Sequence, residues 1–324
     1  MANDVAIHVH HLAKSFRIGF LMRKVIAVRD STFDVRQGEI FGLVGPNGAG
    51  KTTTIKMLLG LIAPDAGSGA LFGVDIRDRR SRKRVGFLPE NPHFYDYLRP
   101  EELLRYFGHL YGLPRSSVEA RIPGLLERVG LAEAREKQLR KFSKGMLQRI
   151  GIAQALLPDS DLVILDEPQS GLDPMGRRDV REIIVELRER GKTVLFSSHI
   201  LPDVEQICDR IGIIVRGRVT RVGPLHELVD PGDGAADVVI RLPAGESTLP
   251  DAALAVPHHR LPAGEWRLEV AGGTPVEPLL RQLLDAGVDI RHIDRHRRDL
   301  ESIFLEEAAR ADAEAARAAE EDRA

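Results

Sequence analysis

Cysteine occurs once in these 324 residues, at Cys208, so no internal disulfide can form. That agrees with a reducing compartment, and the expected role of Cys208 is that of a small buried apolar residue. No run of about 18 consecutive apolar residues exists, so no membrane-spanning helix is expected. The most apolar stretches, such as Leu162 to Leu165, are soon interrupted by charge. A dominant charge is missing too: 46 Lys and Arg against 48 Asp and Glu leave a formal net charge of -2, with no overall field to recruit nucleic acid or anionic lipid. Met1 to His11 lacks a basic segment followed by an apolar run, so no secretory signal is expected.

What is present is a chain with 43% hydrophobic residues, long enough to bury a large domain and a smaller appendage. Glu39 to Val44 is a short apolar run that breaks into a glycine-rich turn and then a helical stretch from Lys51 to Leu61. Apolar runs at Leu162 to Leu165, Thr193 to Phe196 and Ile211 to Val215 alternate with helical segments such as Arg177 to Arg190. Alternation of this kind predicts an α/β domain with a parallel sheet covered by helices. Between about 91 and 158, Pro100 opens a stretch with Leu103, Phe107, Leu110 and Tyr111 at helical spacing, which reads as a helical insertion. Asp230 to Gly234, rich in Gly, Pro and Asp, marks a break that ends the first domain at 230. A smaller α+β domain is expected over 231–309, with strands at Asp237 to Leu242, Trp266 to Val270 and Val288 to Ile293, and helices at Pro278 to Ala286 and Leu300 to Ala309. Residues 310–324 contain only Ala, Glu, Asp and Arg, and read as a disordered tail or frayed helix.

Gly45-Pro46-Asn47-Gly48-Ala49-Gly50-Lys51-Thr52 satisfies the eight-residue phosphate-loop pattern, after a strand and before a helix. Its glycines let successive N–H groups surround phosphate oxygens, and the helix beginning near Gly50 turns its positive dipole end toward the same anion. The pattern assigns Lys51 to the β- and γ-phosphates of a nucleotide, Thr52 to Mg²⁺ and Thr53 to a further phosphate contact. A phosphate loop needs a second acidic position for the metal. Leu162-Val163-Ile164-Leu165-Asp166-Glu167 supplies one: Asp166 ends a buried strand where it can hold Mg²⁺ through water, and Glu167 can polarise an attacking water.

Phe142-Ser143-Lys144-Gly145-Met146-Leu147-Gln148-Arg149 resembles the signature motif of the ATP-binding-cassette (ABC) family, and Ser143 is a good N-cap for the helix that follows it. The resemblance implies that this amide end, with Ser143 and Gly145, faces ATP held by the phosphate loop of a second cassette. A working dimer, expected to be a homodimer, follows from it. Ser170-Gly171-Leu172-Asp173 looks like the loop linking the two sites across such a dimer, His199 looks like the switch histidine, and Phe16 matches the aromatic that stacks on adenine. By itself Phe16 would read as a core residue.

The sequence departs from the family pattern at two places: Glu90, in Gly86-Phe87-Leu88-Pro89-Glu90, stands where glutamine is usual, and the signature reads Ser-Lys-Gly-Met. Glu90 keeps an oxygen able to approach Mg²⁺ or water but loses the amide donor. With Asp299-Leu300-Glu301-Ser302-Ile303-Phe304-Leu305-Glu306, these departures resemble the branch that partners ABC-2 type permeases. That resemblance implies an ATPase powering export through a separately encoded permease, peripheral on the cytoplasmic side of the membrane. The rival is a soluble cassette ATPase acting on nucleic acid or ribosomes, suggested by Arg77, Arg79, Arg80, Arg82, Lys83 and Arg84. Such charge runs usually form a solvated face, so no nucleic-acid partner is expected. Intact Lys51, Asp166, Glu167 and His199 argue against a silent nucleotide sensor. His292 and His296, four apart with Asp294 between them, lie where a strand runs into a turn and need not share a face, so no metal is expected there.

Overall fold

The computed structural model describes residues 4–19, 22–229, 236–243, 248–271, 274–295 and 299–321. Their contacts divide the chain into two compact units, Met1–Leu225 with Glu307–Ala324, and His226–Glu306. The proposed break at Asp230 to Gly234 lies outside the described residues, as does His296.

The first unit is built on ten strands: β1 (Val5–Ile18), β2 (Arg23–Arg36), β3 (Ile40–Val44), β4 (Ala66–Leu71), β5 (Val74–Asp75), β6 (Val85–Leu88), β7 (Leu162–Asp166), β8 (Thr193–Ser198), β9 (Arg210–Val215) and β10 (Arg218–Pro224). Their order across the sheet is β5-β4-β1-β2-β10-β9-β3-β8-β7-β6. Strands β9, β3, β8, β7 and β6 run parallel. Every residue of β3, β7 and β8 is buried, as expected for parallel strands covered on both faces, where side chains on either side of the pleat meet apolar partners. The other flank is antiparallel, with β1 between β2 and β4. The sheet is therefore mixed, with the expected parallel, helix-covered arrangement in its central part.

Helices follow the central strands: α1 (Lys51–Leu58), α2 (Pro100–Leu110), α3 (Arg115–Arg128), α4 (Lys144–Leu156), α5 (Pro174–Glu189) and α6 (Leu201–Ile207). Pro100 begins α2 as expected, because a residue at the first helical turn has no N–H bond to lose. Helices α2, α3 and α4 form the insertion between β6 and β7. The core joins both parts of the sheet through fully buried Ile7, Leu12, Phe41, Leu43, Ile55 and Leu195, and Phe33 stacks on Phe41 at 5.4 Å. Each such side chain contributes about 1.5–3 kcal/mol by leaving water.

The remaining elements are α7 (Leu225–Leu228), β11 (Ala236–Arg241), α8 (Asp251–Leu254), β12 (His258–Arg260), β13 (Glu265–Val270), α9 (Val276–Asp285), β14 (Asp289–Arg295) and α10 (Leu300–Glu321). Strands in the order β12-β13-β11-β14 form an antiparallel sheet, with Val238, Ile240, Leu268 and Leu283 in its core. Helix α10 continues through the charged segment to Glu321, well past Ala309.

Candidate functional site

Strand order assembles the site. Because β8 lies between β3 and β7, the ends of three parallel strands meet at one edge: Val44 pairs with Ser198, and Asp166 with Ser197. The phosphate loop leaves β3 at that edge, Asp166 and Glu167 end β7, and His199 follows β8. Strand β6 lies beside β7, with Leu88 opposite Leu165, so Glu90 emerges at the same edge. Crevices at the carboxyl ends of parallel strands are where α/β sheets bind ligands, since the loops there diverge and leave backbone groups open.

The phosphate loop turns tightly, with Ala49 N–H bonded to Pro46 O at 3.2 Å and Gly45 N–H to Ser198 O at 3.3 Å. Pro46, Asn47 and Gly48 are exposed, while Gly45, Ala49 and Gly50 are buried. Gly50 caps α1 in the left-handed region at φ 108°, and a Cβ there would lie 2.6 Å from Ala27 O of β2. Only glycine combines that backbone with so close an approach.

Lys51 is buried and donates to Gly45 O at 2.6 Å and Pro46 O at 3.1 Å. Its Nζ also lies 2.9 Å from Glu167 Oε1, a close ion pair out of line for a hydrogen bond. The other Glu167 oxygen lies 2.8 Å from His199 Nδ1. Glu167 thus stands between Lys51 and His199, and its own backbone is held at φ 49°, a conformation unusual away from glycine and common at functional positions.

Thr52 Oγ1 donates to Asp166 Oδ1 at 3.2 Å, and Ser197 Oγ donates to the same oxygen at 2.6 Å. Burial pushes the Asp166 carboxyl above its ordinary value; those two hydrogen bonds oppose the shift, and the charges of Glu90 and Glu167 add to it. A hard cation with oxygen ligands fits here, because it would relieve the repulsion around Asp166. Among the described residues no group of three His, Cys, Asp or Glu is arranged to hold a metal ion. Mg²⁺ is such a hard cation: it keeps several waters and binds through one or two carboxylates plus substrate phosphates.

Two residues that pattern reading passed over complete the edge. Ser197 accepts the Glu167 N–H at 2.9 Å while donating to Asp166, and so locks both acids with one hydroxyl. Gln148, on α4, donates to Glu167 O at 3.3 Å, linking the signature helix to the acidic strand end. Both are polar side chains buried to 1% exposure or less, a burial that no local pattern announces because each stands beside another polar residue, Arg149 or Ser198.

The remaining predicted residues lie farther out. Ser143 caps α4 by accepting the Met146 N–H at 3.3 Å and stays exposed, and Gly145 sits against Leu172. Asp173 caps α5 through Gly176 N–H at 2.8 Å. Phe16 is half-buried on β1, paired with Val25 of β2, two residues along from the Ala27 that touches Gly50. Lys14 Nζ lies 5.7 Å from the Phe16 ring centre. In the basic stretch, Arg80 pairs with Asp78, Arg84 pairs with Asp161 and stacks 3.9 Å over Phe72, and Arg82 donates to Ile76 O. Burial pushes the Cys208 thiol well above its usual value.

Residues 28–170 match the family model described as ABC transporter. The chain is 51% identical to an uncharacterised ABC transporter ATP-binding protein of Synechocystis sp., over 70% of this chain and 65% of that one, so it spans less than two thirds of that relative's length. It is 38% identical to the Nod factor export ATP-binding protein I of Burkholderia lata, over 86% of this chain and 91% of that one. A solved structure described as the ATP-binding subunit of an ABC transporter superposes with a TM-score of 0.62 at 36% identity, over 69% of this chain and 91% of the other.

Proposed function

Since the chain belongs to the family of ABC transporter ATP-binding proteins, we propose that it binds and hydrolyses ATP as one of a pair of cassettes and drives export through a separately encoded membrane permease. The observation that carries the reading is the meeting of Lys51, Thr52, Asp166, Glu167 and His199 at the carboxyl edge of β3, β7 and β8.

In this reading the phosphate-loop amides and Lys51 hold the β- and γ-phosphates, and Lys51 exchanges its contact with Glu167 for one with the γ-phosphate. Glu167, freed from Lys51 and steered by His199, orients and deprotonates a water in line with the γ-phosphorus. Thr52 and Asp166, with Glu90 beside them, hold Mg²⁺, which when bound neutralises charge on the phosphate oxygens. The amide end of α4, capped by Ser143 and exposed, fits the nucleotide of a second cassette, and a homodimer is the simplest assembly because one chain carries every motif.

Export is supported by the likeness to the Nod factor export subunit, which extends over 286 residues. Among the described residues no helix is long and apolar enough to cross a membrane. A permease would therefore supply the passage, with this chain at its cytoplasmic face. The insertion offers a docking surface: Tyr95 and Tyr97 are 52% and 58% exposed and pack against each other at 5.8 Å, with Tyr106 edge-on to Tyr95. Clustered exposed aromatics of this kind mark interaction surfaces.

The test is affinity purification of Glu167→Gln from native membranes with ATP and Mg²⁺, followed by identification of the chains that come with it. A multi-spanning membrane protein is expected. Ribosomes or nucleic acid without any membrane protein would overturn the transport reading.

A further inference from the structure

A cavity of about 370 Å³ opens at the N-terminal end of β7, away from Asp166, between α3 of the insertion and the C-terminal end of α5. Its size suits a small organic molecule. Three guanidinium groups line it. Arg121 and Arg128 stand seven residues apart, two turns along one face of α3, and Arg190 is the C-cap of α5.

These cations are only partly satisfied. Arg121 Nη1 donates to Leu157 O at 2.8 Å. The Nη2 atoms of Arg128 and Arg190 each lie 2.5 Å from an oxygen of Glu186, so one carboxylate is shared between two guanidiniums. Asp159, also on the lining, is taken up by Lys192 at 3.1 Å. Three guanidiniums against Glu186 leave two positive charges. Arg128 Nε is buried and makes no hydrogen bond, and its Nη2 meets Glu186 out of line. A buried donor left without an acceptor is unfavourable, so Glu186 alone satisfies Arg128 poorly. Leu125, Leu156, Val163 and Leu187 give the wall an apolar part, and Ser160 adds a hydroxyl.

We propose that this cavity binds a phosphomonoester with a short apolar body, its dianionic head held by Arg121, Arg128 and Arg190 and its body against Leu125, Leu156 and Leu187. Guanidinium groups match phosphate oxygens in pairs, and a dianion balances the two charges that Glu186 leaves. A ligand seated there would touch both α3 and α5, bracing the insertion against the helix that follows the acidic strand.

The test is calorimetric titration of the full chain with hexyl phosphate, inorganic phosphate and hexanoate, with the phosphate loop saturated by a non-hydrolysable ATP analogue and Mg²⁺. Hexyl phosphate is expected to bind one per chain, about tenfold tighter than inorganic phosphate, which leaves the apolar wall unused, or than hexanoate, which carries one charge. Arg190→Gln and Arg121→Gln, tested separately from the more buried Arg128→Gln, should each weaken it by roughly tenfold. No saturable binding to the intact chain, or an affinity unchanged in both Arg190→Gln and Arg121→Gln, would overturn the proposal.

Discussion

Lys51 Nζ lies 2.9 Å from Glu167 Oε1, with the two side chains only 5% and 8% exposed. A cation and a carboxylate this buried are each costly alone and tolerable only in company. Their pairing explains how the phosphate loop and the end of β7 can place opposite charges in the interior. In the proposed reading it also gives an order of events: an arriving γ-phosphate would compete for Lys51 and free Glu167 to act on water.

Replacing Glu167 by Gln should therefore keep nucleotide binding, since no phosphate ligand is removed. Turnover should fall by on the order of 10²–10⁴-fold, the usual contribution of a positioned general base. Equilibrium ATP binding and steady-state phosphate release, measured on the same preparation, check both halves. A variant that still turns over at the native rate would remove Glu167 from the chemistry.

Ser197→Ala deletes the hydroxyl that joins Asp166 Oδ1 to the Glu167 N–H. Two buried polar groups lose a partner, so a loss of about 1–3 kcal/mol is expected from denaturant unfolding. ATPase activity should fall along with it, because both acids lose their positioning. Native stability in this variant would mean that another group supplies the bond.

Asp65 has a pH signature. Hydrogen bonds from the Lys14 ammonium first, then from the Ser15 N–H and hydroxyl, hold its carboxyl down to about 2. A depressed value means that the folded chain favours the ionised form, so the stabilisation is present above the ordinary value of 3.8 and is lost as pH falls from there through about 2. Asp65→Asn should have a lower Tm than the native chain near neutral pH, by a small margin because the pair is exposed and screened. The difference should close on acidification across that window. Since Lys14 lies over Phe16, the same variant should raise the KM for ATP; a Tm difference independent of pH would contradict the assignment.

Gly86 lies where β6 meets α4, and a Cβ there would come within 2.1 Å of Ala155 O. Backbone cannot yield as a side chain can, so Gly86→Ala should cost about 1–3 kcal/mol by overpacking, seen as a lower denaturant midpoint. An unchanged midpoint would show that helix and strand can separate without cost.

Much of the site was legible because its parts are contiguous. The phosphate loop is a single run of eight residues, and Asp166 and Glu167 directly end an apolar strand, so local pattern and chemistry coincide there. The antiparallel flank was not legible. Strand β1 pairs with β2 through several register irregularities, and each bulge shifts the inward face by one residue, which erases the alternation that announces a half-buried strand. In the smaller sheet, β12 has only three residues, too few to show any period.

The amino-acid sequence by itself determined the candidate phosphate loop, because backbone geometry at Gly45 to Thr52 depends on residues next to one another. Only the tertiary structure decided which groups would meet each other. His199 reaches Glu167 across 32 residues, and Ser197 reaches Asp166 across 31, because β8 lies between β3 and β7. Strand order is set by the burial of whole faces, to which every core residue contributes, and no short stretch of chain contains that information.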